Sequence, residues 1–445
     1  MPCLSVLNLS FTMIKSLPNS ISELKNLTTL LLRGCLGLRD LPCLSMLQEL
    51  KKLDLCWTKI EEVPEGMDML IKLRYIDLQV PTLKEIPAGL LPKLVHLQHL
   101  NFGYADISLK AGEVVPLEKL EYFNGIFKDI NELNKFISSM QQSKKNLIKY
   151  HLQLGTADLY VGRDKRLTIG EVHNWEGELI MLPVDIQELH ISDFHYLRCL
   201  GDSISWLTNA VDLTTCTIQF CERIECVVSL TSFTSSSTHP FQSLEVLFLG
   251  DLPKLSALII KDEGFGSTTS TLAPSAAFSN LKEIILTACS SMKTLLPHWL
   301  LPNLQNMEKI TVSHCDKLVE ILGAQTSKVG EKGSDALMKF HLPKLRELNL
   351  WELPELKRIC SKSGVMVCDS LQLIDVMHNC YKLKRIPPFV TLVGNGQPFA
   401  YAPPSLSIRS TTEWWEWLEW DDHPNFKNVL QPLWEDNWYE PFIVI

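Results

Sequence analysis

Cys216, Cys221 and Cys226 lie close together in this 445-residue chain, and thiolates gathered in sequence are a common beginning of a zinc site. Such a site needs two ligands on one tight turn, as in Cys-x-x-Cys, and neither interval here has that spacing. The 12 histidines include no His-Glu-x-x-His pair, which would put two imidazoles on one helical face. No set of Ser, His and Asp stands out as a nucleophilic triad, and no G-x-x-x-x-G-K-[ST] loop is present to cradle nucleotide phosphates. The expectation is a protein without metal, cofactor or catalytic residues, and so not an enzyme. A net charge of −9 argues against a nucleic-acid partner, which selects a basic face. No apolar run reaches the roughly 18 residues of a membrane span. The first residues lack the basic region of a signal peptide. With 13 scattered cysteines, an odd number, reduced thiols in a cytoplasmic setting are the simpler expectation, and the glycosylation sequons at Asn8 and Asn26 are chance matches.

What remains is the chemistry of recognition, and a repeat decides which side chains can take part. Apolar residues recur at offsets zero, +3 and +5: Leu4, Leu7, Leu9; Leu27, Leu30, Leu32; Leu50, Leu53, Leu55; Leu73, Ile76, Leu78; Leu97, Leu100, Phe102. These starts are 23 or 24 residues apart. A second block keeps the frame from Ile186, Leu189 and Ile191 to Leu371, Ile374 and Val376, with starts 26 to 38 residues apart. Its variation sits in polar inserts at 231–239, 264–277 and 324–335, expected as exposed loops. Between the blocks, Leu117, Leu120, Tyr122 and then Leu147, Tyr150, Leu152 are read in the same frame. Ile130, Leu133, Phe136, Ile137 and Met140 have helical spacing and predict one longer helix on the outer side of the coil.

Apolar residues at +3 and +5 make a short strand with one buried face, which is covered only if repeats stack. Anchors near +11 and +14 return the chain, as at Leu255 and Leu258 or Leu318 and Ile321. Position +8 is Thr12, Cys35, Thr58, Cys221, Cys289 or Cys315, suited to meeting backbone groups of a buried turn, and is apolar elsewhere (Phe194, Leu252, Leu353); Cys216 is a core residue at +3. The predicted fold is an α/β leucine-rich-repeat solenoid, a horseshoe with a parallel β-sheet on its concave face. Its segments are regular repeats over 1–110, degenerate repeats with the helix over 111–185, irregular repeats with inserts over 186–390, and a capping tail over 391–445. In that tail Trp414, Trp417 and Leu418 are placed to cover the last repeat, with a partner-binding patch around Trp414, Trp415, Trp417 and Trp420 as the alternative. Met1 stands three residues before the first frame, so the first strand is expected to be an unprotected edge.

Side chains at +2, +4 and +6 point away from the core. In the first block these supply a polar candidate surface, Arg33, Lys52, Asp54, Tyr75 and Asp77, with Gln79, His99 and Asn101 beside them. Asp54 and Asp77 should be neighbours, since adjacent strands lie about 4.8 Å apart. In the second block the outward positions include Val246, Phe248, Ile285, Trp351, Leu373 and Met377, apolar where water is expected. The polar set reads equally as a solvated face, and the apolar set as residues that the inserts fold over.

The stretches IEEVPEGMDMLIKLRYIDL, LIKYHLQLG, LPNLQNMEKITVSHCDKLVEIL, TEWWEWLEWDD and VLQPLW resemble the repeat region of plant nucleotide-binding leucine-rich-repeat immune receptors of the coiled-coil class. The resemblance implies a cytoplasmic interaction module in the defence response whose partner is a protein, either a pathogen effector or a guarded host protein. It further implies contact with a nucleotide-binding module, here in trans, because neither a phosphate loop nor a coiled coil is present. What remains is similar to the sensor region alone, in truncated form, and no ATP or ADP binding is expected. The alternatives are a generic adaptor or substrate-recruiting scaffold and a non-functional receptor fragment.

Overall fold

Each repeat begins with an alternation that can bury one face of a strand, and the strands so formed pair in parallel along the chain. A computed structural model describes residues 3–105, 107–142, 147–157, 164–173, 175–200, 210–229, 241–260, 277–323, 338–361, 364–391, 400–420 and 424–436. They fall into two compact units, Met1–Ser192 and Asp193–Ile445.

Among the described residues, the first unit holds nine parallel strands: β1 (Val6–Asn8), β2 (Thr29–Leu31), β3 (Lys52–Asp54), β4 (Tyr75–Asp77), β5 (His99–Asn101), β6 (Tyr122–Phe127), β7 (Lys149–Leu154), β8 (Lys165–Ile169) and β9 (Glu188–Ser192). Each pairs with the next in sequence, so Leu7, Leu30, Leu53, Ile76, Leu100, Phe123 and Tyr150 form one row. From Leu30 onward that row is fully buried or nearly so, each side chain worth about 1.5–3 kcal/mol relative to exposure. Leu4, Leu7 and Leu9 beneath β1 are only half-buried, and Val6 is exposed. Helix α1 (Ala111–Val114) is a single turn, whereas α2 (Ile130–Gln142) buries Ile130, Leu133, Phe136, Ile137 and Met140, the five residues of the helical pattern. Phe136 packs its ring against Phe123 and Phe127 of β6, with centroids 5.1 and 5.5 Å away.

Two sequence expectations in this unit change. The frame over β6 is Leu120, Phe123, Gly125, not Leu117, Leu120, Tyr122, because Phe123 pairs with Leu100 and Tyr122 with His99. The cause is steric. Phe123 is large enough to fill the +5 space too, where a Cβ on Gly125 would stand 2.4 Å from the Phe123 ring, so glycine replaces the usual leucine. Strand β8 was hidden as well, because it follows β7 without the usual return segment; its Leu167 and Ile169 are nevertheless core residues.

In the second unit the described strands divide between the repeat sheet and three smaller sheets of return strands. They are β10 (Thr215–Gln219), β11 (Cys226–Ser229), β12 (Val246–Gly250), β13 (Ala257–Ile260), β14 (Glu283–Thr287), β15 (Thr294–Pro297), β16 (Lys309–Ser313), β17 (Glu320–Gly323), β18 (Met338–His341), β19 (Glu347–Trp351), β20 (Arg358–Cys360), β21 (Gly364–Val367), β22 (Leu373–Met377), β23 (Ser407–Ser410) and β24 (Trp434–Asp436). The repeat strands β10, β12, β14, β16, β19, β22, β23 and β24 pair in that order. The return strands pair separately, β11 with β13, β15 with β17, β17 in turn with β20, and β18 with β21. The +14 anchors Leu258, Ile321 and Ile359 lie in these return strands and are buried. Apart from buried Ala277, the expected loops at 231–239, 264–277 and 324–335 lie outside the described residues.

In the tail, Thr411 caps the short helix Thr412–Glu416 by accepting the Trp414 N–H at 3.3 Å. Trp414, Trp415 and Leu418 are buried, and Trp415 stacks on Trp434 of the last described strand at 5.4 Å. Trp417 does not join them, since the helix ends one residue before it. It lies 52% exposed against Tyr381.

One turn device recurs after the repeat strands. The +7 residue has positive φ at Phe11, Gly34, Trp57, Tyr104, Asp193, Phe220, Asp251, Ala288, His314, Glu352 and His378. At most of these the N–H still reaches the next repeat, as in Trp57 N–H to the Gln79 carbonyl at 3.0 Å and Ala288 N–H to the Ser313 carbonyl at 3.0 Å. The left-handed residue then swings +8 inward. There Thr58 donates to the Leu55 carbonyl at 2.8 Å, Cys35 to Leu9 at 3.1 Å, Cys221 to Gln219 at 3.3 Å and Cys315 to Ser313 at 3.2 Å. Burial pushes the Cys221 and Cys315 thiols up to about 12, which keeps them protonated donors.

Candidate interaction face

The outward side of β3 to β6 carries a stack built by register. Lys52, Tyr75, His99 and Tyr122 occupy the same position of consecutive strands. Strand spacing of about 4.8 Å is one ring's thickness plus slack, so the aromatics lie almost parallel: Tyr75 to His99 at 4.1 Å and 8°, His99 to Tyr122 at 4.2 Å and 9°. The Lys52 ammonium sits over the Tyr75 ring, 4.1 Å from its centroid. Burial in the stack, with Lys52 nearby, lowers the His99 pKa to about 4, so its ring is neutral at physiological pH. Burial, then Asp77 and Asp54, raises that of Tyr75, which stays a hydroxyl donor.

Two residues further along each strand runs a row of Asx side chains. Asn8, Asp54, Asp77 and Asn101 each accept the N–H two residues on, at 3.0 to 3.1 Å, and so close the strand end. Asp54 and Asp77 are register neighbours, as the sequence suggested, but they are 6% and 2% exposed and do not form an open acidic surface. Desolvation is the largest influence on Asp77 and raises its pKa, with the Gln79 N–H opposing it. Arg33 lies over both carboxylates, its guanidinium nitrogen 3.8 Å from Asp54 and 3.6 Å from Asp77, with 40% of the side chain exposed. The five first-block candidates therefore come together with His99, which the sequence placed beside them, and the structure adds Tyr122.

Further along the unit, β7 to β9 display a more buried polar group. The Arg166 guanidinium pairs with Glu188 at 2.7 Å, and His151 shares a hydrogen bond with Thr168 at 3.0 Å. Burial and then the Arg166 charge lower the His151 pKa to about 4. Sequence reasoning missed this group because β8 was not recognised.

In the second unit the apolar candidates separate into two groups. Phe248 and Ile285 are register partners on β12 and β14, with Val246 two residues from Phe248. Trp351 and Met377 are partners on β19 and β22, with Leu373 at the other end of β22. Strand β16 divides them, since Lys309, Thr311 and Ser313 occupy its outward positions. Lys309 pairs with Glu283 at 3.5 Å and Glu347 at 3.4 Å. Phe248 leans over Gly250, where a Cβ would approach its ring to 2.7 Å, so this ring lies along its own strand. Trp351 is 38% exposed, and the other five are half-buried. Among the described residues no group of three or more His, Cys, Asp or Glu side chains is placed to hold a metal, and no helix is long and apolar enough to cross a membrane.

Residues 267–393 match the family described as plant disease resistance protein RPS2-like, leucine-rich repeats. Over 97% of its length the chain is 29% identical to disease resistance protein At4g27190 of Arabidopsis thaliana, of which it covers 42%. It is 26% identical over 80% of its length to the putative disease resistance protein At4g19050 of the same plant, covering 26% of that protein. The chain thus spans less than half the length of these curated relatives. Among solved structures, the leucine-rich-repeat protein LIC12759 of Leptospira interrogans aligns over 98% of this chain and 96% of that one, with 15% identity and a TM-score of 0.40. The repeat geometry and the sequence matches together identify the chain as a leucine-rich-repeat region similar to those of plant disease resistance proteins.

Proposed function

We propose that this chain is the ligand-sensing repeat region of an intracellular plant immune receptor, and that it acts in defence by binding a protein through the outward face of its repeat strands. The partner is a pathogen effector or a host protein that effectors alter, and the region works with a nucleotide-binding module rather than by catalysis. The observation that supports this is the outward side of β3 to β6, where Lys52, Tyr75, His99 and Tyr122 are stacked in order and Arg33 lies half-open above two shielded carboxylates. A stacked aromatic row beside fixed donors offers the rings and polar groups that anchor a protein partner.

The test is site-specific photocrosslinking in pathogen-challenged leaf cells. Crosslinkers at Tyr75 and Trp351 report the outward face, and crosslinkers at the exposed Met69 and Val211 report other surfaces. A discrete protein adduct should form from the outward positions alone. Equal yields from all four positions would overturn the proposal.

A further inference from the structure

We infer that the sheet face of the first unit recognises an extended protein segment carrying a carboxylate beside apolar side chains, gripped by Arg33 and Lys52 and lined by the aromatic rim Phe11, Trp57 and Tyr104. This rests on the interaction-face reading above and names the kind of partner.

The rim arises from the +7 turn. That position needs a left-handed residue, for which glycine or a small polar residue suffices, and Gly34 and Asp251 fill it so. Phe11, Trp57 and Tyr104 instead hold bulky rings there, at φ 61°, 56° and 65°. They also remain 76%, 40% and 42% exposed. The positive φ belongs to the turn throughout the chain, so what sets these three positions apart is the choice of a large, partly exposed ring where glycine would serve. The rings are also ordered: Phe11 lies across Gly34, where a Cβ would stand 2.6 Å from it, and Trp57 packs on Tyr104 at 5.1 Å. Arg33 directly precedes Gly34, so the rim borders the guanidinium.

Charge selects the occupant. The carboxylates of this face, Asp54 and Asp77, have side chains only 9% and 3% exposed. What meets solvent is the Arg33 guanidinium, which among the described residues makes two long ion pairs and no hydrogen bond, and the Lys52 ammonium, whose contact is the Tyr75 ring. The guanidinium fork therefore has donors left for a bidentate carboxylate. An acidic segment with aromatic or aliphatic neighbours matches both the cations and the rim, whereas a basic segment would face Arg33 and Lys52 first.

The probe is a Glu–Tyr random copolymer, compared with polyglutamate and a Lys–Tyr copolymer, titrated against the full chain. The Glu–Tyr copolymer should bind more tightly than either comparison. Arg33→Gln should raise its Kd at least about tenfold, and Trp57→Gly at least about fivefold. In Trp57→Gly the relief of the left-handed backbone offsets part of the packing lost against Tyr104, and the neighbouring repeat already has glycine there, so thermal melting should fall little and is recorded beside each titration. The inference falls if polyglutamate binds as tightly, if the Lys–Tyr copolymer binds best, if the Glu–Tyr copolymer does not bind, or if either variant retains wild-type Kd. Crosslinking from Tyr75 and Trp351 in leaf cells, together with any of these results, would leave the interaction-face reading standing and remove the acidic partner alone.

Discussion

A neutral imidazole between two tyrosines carries a consequence for acid stability. His99 is held at a pKa of about 4 by burial and by Lys52, against an ordinary value of 6.5. The unfolded chain therefore takes up a proton near 6.5 that the folded chain refuses until about 4, so stability from this residue is complete above the higher value and is lost as pH falls through that window. His151 has the same direction and the same window. His99→Phe keeps a ring between Tyr75 and Tyr122 and removes one of the two titrations. Its urea midpoint should fall less between about pH 7 and about pH 4.5 than that of the wild type, with a residual slope from His151. Parallel pH profiles for the two proteins would show that His99 is not the group being charged. Asp77 works in the opposite sense: its raised pKa gives stability below the usual aspartate range that is lost as pH rises through the folded value. It therefore partly offsets the histidines at the acidic end.

Within a repeat, the strand and the turn were legible in the sequence to different degrees. Offsets zero, +3 and +5 located β1 to β5 and the second block because an apolar side chain at a fixed interval has one physical meaning there, burial against the next repeat. Gly125 escaped that logic, since its role is to leave room for Phe123, and with it went Tyr122 and the third ring of the stack. The inward +8 donors were visible as Thr and Cys, but the +7 residue that aims them was not, because residue types as different as Trp57, Asp251 and His314 adopt the same φ. A conformation imposed by the ladder hydrogen bond on one side and the buried turn on the other leaves no common side chain to read. The strain itself is measurable at Ala288, where φ is 52° and only a methyl group is at stake. A left-handed non-glycine residue costs about 1–2 kcal/mol, partly offset by about 0.5–1 kcal/mol of extra chain entropy that glycine loses on folding. Ala288→Gly should thus stabilise the protein by up to about 1.5 kcal/mol in chemical denaturation. A clear destabilisation would mean that the methyl packing outweighs the backbone term.

Stacked repeats make the second unit a nearly one-dimensional object, in which the sheet side of each repeat pairs with its two neighbours and distant repeats are coupled only through those between. Ile310, Leu348 and Ile374 are consecutive rungs of β16, β19 and β22, and all are buried. Leu348→Ala removes the middle rung, and a cavity there should lower stability by about 2–5 kcal/mol. If coupling runs rung to rung, the loss will be local: amide exchange should quicken most in β19, clearly in β16 and β22, and least in β10, which lies three strands beyond β16. Trp351→Ala on the same strand is the internal comparison. Its side chain is 38% exposed and on the outward face, so its removal should leave exchange in β16 and β22 close to wild type. A different pattern would sink this account: Leu348→Ala accelerating β10 as much as β16 would make the unit a single cooperative block. In that case a ligand on any one repeat would stabilise all of them equally, whereas rung-to-rung coupling confines the effect of a ligand to the repeats it touches and those beside them.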